Sequence, residues 1–413
     1  MSKLEELIQQ YCPDGVEWKM LGELGDFYSG LTGKTKSDFT GGNEKFITYV
    51  NVFNNPSLKT DVPERVKIAE GEKQNTIQYG DILFTGSSET PDECGMSSVL
   101  THTIEEKLYL NSFCFGFRFF DLSDKCPSFM KYLFRSTNIR KTICKTANGV
   151  TRYNISKKEF AKIEIPIIPL PVQEEIVRIL DAFTELQAEL QAELQKRKQQ
   201  YNYYLDNLLN FKNINRGGYQ AEVRWMKLKD IGKVCMCKRI LKSQTSSSGD
   251  VPFFKIGTFG GNADAYISQA LFNEYKAKYS YPLKGDVLIS AAGTIGRTIV
   301  FDGTPSYFQD SNIVWLKHDE SIVLNSYLRY CYALNPWVVS TGGTIARLYN
   351  DNILEATIPV PSLANQQRIV SILDRFDTLT TDLTQGLPAE IEKRRQQYEY
   401  YRDKLLTFKR KGA

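Results

Sequence analysis

Apolar residues recur at helical spacing over two long segments of the chain. In the first segment they lie three, four or seven positions apart, which places them along one side of a single helix. A run of about 40 residues predicts a helix roughly 60 Å long. The residues of this apolar stripe are Ile176, Ile179, Leu180, Phe183, Leu186, Leu190, Leu194, Tyr201, Leu205 and Leu208.

The second helical segment repeats the first. Residues 165–183 (IPIIPLPVQEEIVRILDAF) align without gaps on 358–376 (IPVPSLANQQRIVSILDRF), with ten of nineteen positions identical. Residues 196–212 match 393–409 at twelve of seventeen positions. Shorter matches lie upstream in the same order: WKMLGELG at 18–25 with WMKLKDIG at 225–232, and GDIL at 80–83 with GDVL at 285–288. The chain is therefore an internal duplication. The parts that differ between the two copies are consistent with two domains that have the same function and different targets. Sequence drift after the duplication explains these differences equally well.

Proline-rich and glycine-rich segments of the chain predict its domain boundaries. A proline-rich strap, which we predict to be extended and not helical, precedes each helix, and Gly217-Gly218 ends the first copy. We predict an α+β fold in which two long, antiparallel, coiled-coil-like helices separate two globular domains of mixed strands and helices, with pseudo-two-fold symmetry. The predicted boundaries are 1–165 and 217–358 for the globular domains, and 166–216 and 359–413 for the helices.

A four-residue repeat fills the middle of each helix. The first copy reads TELQAELQAEL, with leucines at 186, 190 and 194, and the second copy has four such positions, at 379, 383, 387 and 391. Gly386 and Pro388 of the second copy predict either a helix stop and restart or a kink. We expect the unbroken first helix to set the separation of the two domains, at about 6 Å for each unit.

Composition and motifs limit the function classes. The net charge of +4 permits nucleic-acid binding without requiring it, and the eight cysteines and two histidines show no metal-site spacing. The sequence has no secretory leader and no run of eighteen apolar residues, so we expect a cytoplasmic protein with reduced thiols that does not enter a membrane. It also lacks an Asn/Asp-Pro-Pro-aromatic methylase loop and a phosphate-binding GxxxxGK[S/T] motif. We therefore expect no catalytic centre and no bound metal.

If the chain binds DNA, as its net charge permits, the candidates for contact are polar, glycine-containing loops beside strand-like segments. Arginine and lysine read guanine, asparagine and glutamine read adenine, and hydroxyls hold phosphates. Arg152 and Arg347 stand in equivalent places just upstream of the two straps. The alternative for each loop is an ordinary solvated turn, as Gly293–Arg297 suggests. The DNA-binding candidates are Thr85, Ser87, Ser88, Lys145, Asn148, Thr151, Arg152, Ser290, Thr294, Arg297, Thr341, Thr344 and Arg347.

The repeated helical motifs resemble the conserved regions of type I restriction–modification specificity subunits. The resemblance rests on QxxIV at 173–177, ILDxF at 179–183, the Gln-Ala-Glu-Leu units, RKQQYxYY at 197–204, and their second-copy counterparts GLPAEI at 386–391 and RRQQYxYY at 394–401. It implies a non-catalytic subunit that recognises a bipartite double-stranded DNA site, one half for each domain. It also implies docking of two methyltransferase subunits and of restriction subunits, with S-adenosylmethionine, ATP and Mg²⁺ bound by those partners and no cofactor bound by this chain. The expected spacer and subunit-interface residues are Ile176, Ile179, Leu180, Phe183, Leu190, Tyr201, Tyr204, Ile369, Ile372, Leu373, Phe376, Tyr398 and Tyr401.

Two other functions stay open at this point. An adaptor that spaces two protein-binding domains would show no salt-sensitive DNA binding. A self-contained nuclease, or a fused specificity subunit missing its catalytic region, would show activity as the purified chain.

Overall fold

A computed structural model describes residues 2–211, 223–338 and 347–412 of the chain. The chain divides into two structural units. Unit 1 is Met1–Gln191 with Glu390–Ala413, and unit 2 is Ala192–Ala389. Each unit thus takes helical residues from both copies of the repeat. The boundaries predicted from the sequence divide the chain into continuous stretches, whereas the two units group residues that contact one another. Those boundaries stay a prediction.

The described part of unit 1 contains four small sheets. Its main sheet is antiparallel in the order β2-β9-β5-β7, and a second sheet has the order β4-β3-β8 with β3 and β8 parallel. Two further groups, β1-β12 and β10-β11-β6, are antiparallel. The helices are α1 Lys3–Tyr11, α2 Leu21–Leu24, α3 Tyr49–Asn54, α4 Pro127–Leu133, α5 Thr137–Cys144 and α6 Lys157–Phe160. The strands are β1 Glu17–Met20, β2 Gly25–Ser29, β3 Glu44–Ile47, β4 Arg65–Val66, β5 Ile82–Thr85, β6 Ser87–Ser88, β7 Ser97–Val99, β8 Leu108–Leu110, β9 Cys114–Phe119, β10 Ala147–Asn148, β11 Tyr153–Ile155 and β12 Glu164–Ile167.

Unit 2 repeats this plan. Its main sheet is antiparallel in the order β14-β20-β17-β18, and its second sheet has the order β16-β15-β19 with β15 and β19 parallel. The α+β class and the duplication are therefore confirmed. The helices that follow α6 are α7 Leu170–Asn210, α8 Gln269–Lys278, α9 Asn325–Ala333, α10 Asn350–Leu354, α11 Leu363–Thr381 and α12 Leu387–Leu405. The strands are β13 Arg224–Lys227, β14 Lys233–Met236, β15 Val251–Phe254, β16 Tyr266–Ile267, β17 Val287–Ser290, β18 Thr298–Val300, β19 Tyr307–Phe308, β20 Ile313–Lys317 and β21 Thr357–Val360.

The first strand of each globular part pairs with the strand that leads into the long helix. In unit 1, Trp18 of β1 lies opposite Pro166 of β12, and in unit 2 Trp225 of β13 lies opposite Pro359 of β21. Both prolines belong to the predicted extended strap. Because the two registers are the same, the strap closes both domains at the same place.

At one equivalent pair of facing residues, the large side chain lies on the first strand of the main sheet in unit 1 and on the neighbouring strand in unit 2. Tyr28 lies opposite Gly116, and a Cβ on that glycine would come within 2.1 Å of the tyrosine ring. The equivalent pair in unit 2 is Cys235 opposite Trp315, which is buried. A large residue therefore faces a small one in both sheets, on opposite strands, as dense packing requires.

The long helices follow the predicted stripe, with one correction. α7 is a single helix of 41 residues, about 60 Å long. Contrary to the prediction of a wholly non-helical strap, Pro171 lies in its first turn, where a missing backbone N–H costs no hydrogen bond. In the second copy the helix stops after Thr381 and restarts at Leu387, so the Gly386–Pro388 break is a stop and not a kink.

The stripe residues pack reciprocally. In unit 1 the Phe183 ring stacks on Tyr401, with centroids 5.6 Å apart, and in unit 2 the equivalent Phe376 stacks on Tyr204 at 5.2 Å. Within unit 1 the two helical segments run antiparallel, because Arg410, beyond the end of α12, reaches back to Glu164, which precedes α7. The other predicted interface residues belong to the hydrophobic cores: Ile176, Ile179, Leu180 and Tyr398 in unit 1, and Ile369, Leu373 and Tyr201 in unit 2. Leu190 and Ile372 are half-buried.

A buried glutamine ties each long helix to its globular part. The Gln173 side chain accepts from the Cys126 amide at 2.9 Å and donates to the carbonyls of Asp124 and Ile168 at 2.8 and 2.6 Å. Gln366 makes the same three bonds in unit 2, accepting from the Leu324 amide at 2.9 Å and donating to two carbonyls at 2.8 and 2.9 Å. The sequence repeat is therefore also a repeat of hydrogen bonds.

Candidate nucleic-acid interface

Three of the predicted DNA-binding residues lie in and directly after β5, and their hydroxyls are engaged within the protein. Thr85 is buried, and its hydroxyl accepts from a backbone amide at 2.9 Å. Ser87 is also buried, and its hydroxyl accepts from the Arg152 guanidinium at 2.9 and 3.3 Å. Ser88 is half-buried and donates to a glutamate carboxylate at 3.1 Å. These residues therefore build the loop, while Arg152 is exposed to solvent.

Arg152 lies on a concave surface of unit 1 with a volume of about 880 Å³. Its guanidinium carbon is 5.5 Å from the centroid of the Phe113 ring, in cation–π contact. Phe113 is 57% exposed and Val50 is 62% exposed, although both are apolar. Residues that line this surface are Tyr49, Val50, Phe53, Asn54, Ser87, Ser88, Glu89, Glu93, Phe113, Thr151 and Arg152. Hydroxyls, carboxylates, an arginine and exposed apolar groups thus converge on one face.

Tyr49 fixes one wall of the concave surface. Its hydroxyl donates to the Ser87 carbonyl at 2.8 Å. Burial raises the pKa of Tyr49, so this hydroxyl keeps its proton at neutral pH and remains a donor.

The remaining candidates of the first domain are solvent-exposed. Thr151 lines the concave surface beside Arg152. Lys145 follows α5, and Asn148 of β10 donates to the Thr146 carbonyl at 3.3 Å. The structure thus brings Ser87, Ser88, Thr151 and Arg152 to one face, and it leaves Lys145, Asn148 and the buried Thr85 outside its lining.

In the second domain, Ser290 closes a turn. It is buried, accepts from the Arg297 amide at 2.9 Å and donates to the Thr294 carbonyl. The interpretation of residues 293–297 as a turn is confirmed. Thr294 and Arg297 are exposed on it, and the Arg297 guanidinium donates to the Gly260 carbonyl at 3.3 Å.

Arg347 reaches the same part of unit 2. Its guanidinium donates to the Ser311 hydroxyl at 3.2 Å and to the Asn312 side-chain oxygen at 3.3 Å, and its backbone forms a bridge with Ala292. These long hydrogen bonds are weak. Thr341 and Thr344 lie outside the described residues.

The two arginines contact the same position of the repeat, which the sequence analysis missed. The amide that follows β5, that of Gly86, donates to the Phe113 carbonyl at 2.7 Å, and the amide that follows β17, that of Ala291, donates to the Asn312 carbonyl at 2.7 Å. Phe113 and Asn312 directly precede the equivalent strands β9 and β20. Their segments share no motif, so only the strand registers align them.

Potential metal-ligating side chains lie apart from one another in the described ranges. There, no three His, Cys, Asp or Glu side chains come together in a way that could hold a metal ion. All eight cysteines are free thiols. Within the same ranges, every helix is too short or too polar to span a lipid bilayer.

Comparison with known proteins identifies the family. The family model described as the type I restriction modification DNA specificity domain matches twice, over residues 13–200 and 220–393. The chain belongs to the type I restriction–modification DNA specificity family. It is a specificity subunit with two recognition domains for DNA sequence, and this is a non-catalytic role.

Relatives in the specificity family agree with this assignment. A putative type I restriction enzyme specificity subunit of Haemophilus influenzae is 56% identical over 268 residues, which are 63% of this chain and 68% of that protein. A type I restriction enzyme specificity subunit of Escherichia coli is 33% identical over 272 residues, which are 63% of this chain and 65% of that protein. The chain thus spans about two thirds of the length of these relatives.

Solved structures show the same fold. A chain from a study of complex assembly and conformational transition of the type I restriction–modification system has a TM-score of 0.61 and 19% identity, covering 95% of this chain and 98% of that one. The corresponding subunit from Thermoanaerobacter tengcongensis has a TM-score of 0.52 and 17% identity, with 96% of both chains covered.

Proposed function

We propose that this specificity subunit reads a bipartite duplex DNA site, with one half-site for residues 1–165 and the other for residues 217–358. The observation that carries the proposal is the pair of equivalent loops in which Arg152 and Arg347 meet Phe113 and Asn312. Two domains that recognise different DNA sequences need the same backbone arrangement with different side chains at the equivalent position.

The long helices have two roles in this proposal. Residues 166–216 and 359–413 set the spacing between the half-sites and dock two methyltransferase subunits, to which restriction subunits add. S-adenosylmethionine, ATP and Mg²⁺ belong to those partners, and this chain binds no cofactor. The assembly acts in the cytoplasm. Within the described residues, the predicted DNA-binding residues that exposure or weak bonding leaves available to DNA are Lys145, Asn148, Thr151, Arg152, Thr294, Arg297 and Arg347, of which Lys145 and Asn148 lie outside the concave surface.

The decisive experiment maps DNA methylation. The chain is co-expressed with its methyltransferase subunit, and modified adenines are located genome-wide. We expect a split motif with an unspecified gap. Replacing residues 1–165 with the corresponding region of a relative of different motif should change one half-motif only, because each domain reads its own half.

Two results would reject the proposal. A change in both half-motifs after the exchange contradicts one reader for each half. An absence of salt-sensitive DNA binding by the intact complex contradicts DNA recognition itself, since phosphate contacts release counterions and weaken with salt.

A further inference from the structure

In both recognition domains, the same backbone hydrogen bond positions one equivalent residue. In each, an amide just after a buried strand of the main sheet bonds a carbonyl just before the neighbouring strand, at 2.7 Å in both domains. The residue with that carbonyl is Phe113 in the first domain and Asn312 in the second. The backbone arrangement is therefore the same in both domains, and the side chain at this position differs.

An arginine holds this side chain in both domains. Arg152 is fixed by the Ser87 hydroxyl at 2.9 Å and lies over the Phe113 ring. Arg347 donates to the Asn312 side-chain oxygen at 3.3 Å. Asn312 is half-buried, and among the described residues no hydrogen bond uses its side-chain nitrogen.

The surroundings of Phe113 favour a base over a phosphate. Glu89 and Glu93 line the same concave surface and would repel a phosphate, whereas a carboxylate can accept from the amino group of cytosine. The exposed Phe113 and Val50 would bury apolar area only against an apolar group. In the major groove of duplex DNA, that group is the methyl of thymine.

We propose that Phe113 and Asn312 are the same specificity-determining position in the two domains, Phe113 contacting a thymine methyl and Asn312 hydrogen-bonding an adenine edge. Phenylalanine suits the methyl, and the asparagine amide suits the N6/N7 edge of adenine. This inference rests on the proposed function, because it names the bases that each domain reads.

The test uses the intact complex with its methyltransferase subunits. Phe113→Asn should remove the requirement for thymine at one position of one half-motif and leave the other half unchanged. Asn312→Phe should remove the requirement for adenine in the other half-motif. As matched controls, Phe120→Asn alters an exposed phenylalanine of unit 1 and Asn273→Phe an exposed asparagine of unit 2, and neither should change the motif.

Modified DNA tests the atoms. Replacing the assigned thymine by uracil removes only the methyl, and replacing the assigned adenine by 7-deazaadenine removes the N7 acceptor. Each replacement should weaken binding of the wild-type complex at least about fivefold. The thymine replacement should have no effect on the Phe113→Ala complex, and the adenine replacement none on the Asn312→Ala complex.

The outcomes separate this inference from the proposed function. If the wild-type complex methylates a split motif but Phe113→Asn and Asn312→Phe keep it, the inference is wrong and the function stands. If the wild type shows no split motif, the function itself fails. Should Phe113→Asn abolish methylation everywhere, Phe113→Leu decides: it keeps an apolar group and must retain the thymine, and a changed motif in that variant overturns the inference.

Discussion

At the scale of single residues, the twin glutamines Gln173 and Gln366 show how the duplication preserves contacts. Each is buried and satisfies three backbone groups at the start of a long helix. A buried group left without its partner costs about 1–3 kcal/mol. These glutamines therefore matter to stability more than any surface charge of the same helix.

We expect Gln173→Ala to lower the free energy of unfolding of unit 1 by about 2 kcal/mol, because it orphans the Cys126 amide and two carbonyls. Chemical denaturation measures this. The control, Gln191→Ala, alters an exposed glutamine of the same helix and should change stability by less than about 0.5 kcal/mol. Equal effects of the two substitutions would contradict the role assigned to Gln173.

Glu175 gives the stability a dependence on pH. Hydrogen bonds from Arg178 at 2.7 Å and Lys3 at 3.0 Å favour its charged form and lower its pKa to about 2. Because the pKa of the folded state lies below that of the unfolded state, this carboxylate stabilises the fold above about pH 4.5. The stabilisation is lost as the pH falls toward 2.

Glu175→Gln should therefore cost about 1 kcal/mol at pH 7, since both partners are exposed to solvent, and the difference from the wild type should vanish near pH 2. Denaturation curves at several pH values measure it. Glu174→Gln removes the exposed neighbouring carboxylate and serves as the control. A difference that stays constant with pH would show that Glu175 acts through packing and not through charge.

At the scale of the elements, α7 and the α11–α12 pair descend from one sequence but differ in continuity. Three leucine units run through α7 without interruption, whereas Gly386 and Pro388 divide the second copy. A Cβ on Gly386 would lie 2.4 Å from the Thr378 carbonyl oxygen. The stop therefore depends on a glycine at that close approach.

Deleting residues 187–190 shortens α7 by about 6 Å while keeping its stripe nearly in phase. We expect the gap of the methylated motif to shorten by one or two base pairs, at about 3.4 Å for each, while both half-motifs are retained. Methylation mapping of the co-expressed complex is the readout. The length-preserving Gln191→Ala should leave the gap as it is, and an unchanged gap after the deletion would exclude α7 as the spacer.

At the scale of the whole molecule, neither unit is a continuous stretch of chain. The sequence repeats as domain–helix–domain–helix, but each unit contains helical residues from both copies. The reciprocal stacks of Phe183 on Tyr401 and of Phe376 on Tyr204 explain this, because each helix completes the core of a globular part that is distant in sequence. Exchange of one recognition domain must therefore keep the helix residues that pack against it.

The sequence by itself determined the duplication, the helical stripe and the family. These depend on local spacing and on motifs that survive in both copies, such as Gln173/Gln366 and Tyr204/Tyr401. Periodicity and propensity act over a few residues, so they can be read without the fold. The exception is Pro171, because a proline is compatible with the first turn of a helix as well as with a strap.

Only the tertiary structure decided which polar loop residues face solvent and which residues share a position. Thr85 and Ser290 have the composition of loop residues that bind DNA, yet their strands place them inside the protein. The segments around Phe113 and Asn312 share no motif, and only the β5–β9 and β17–β20 registers show the two residues to be equivalent. Strand pairing joins residues distant in the chain, and no local pattern specifies which distant partner a strand will find.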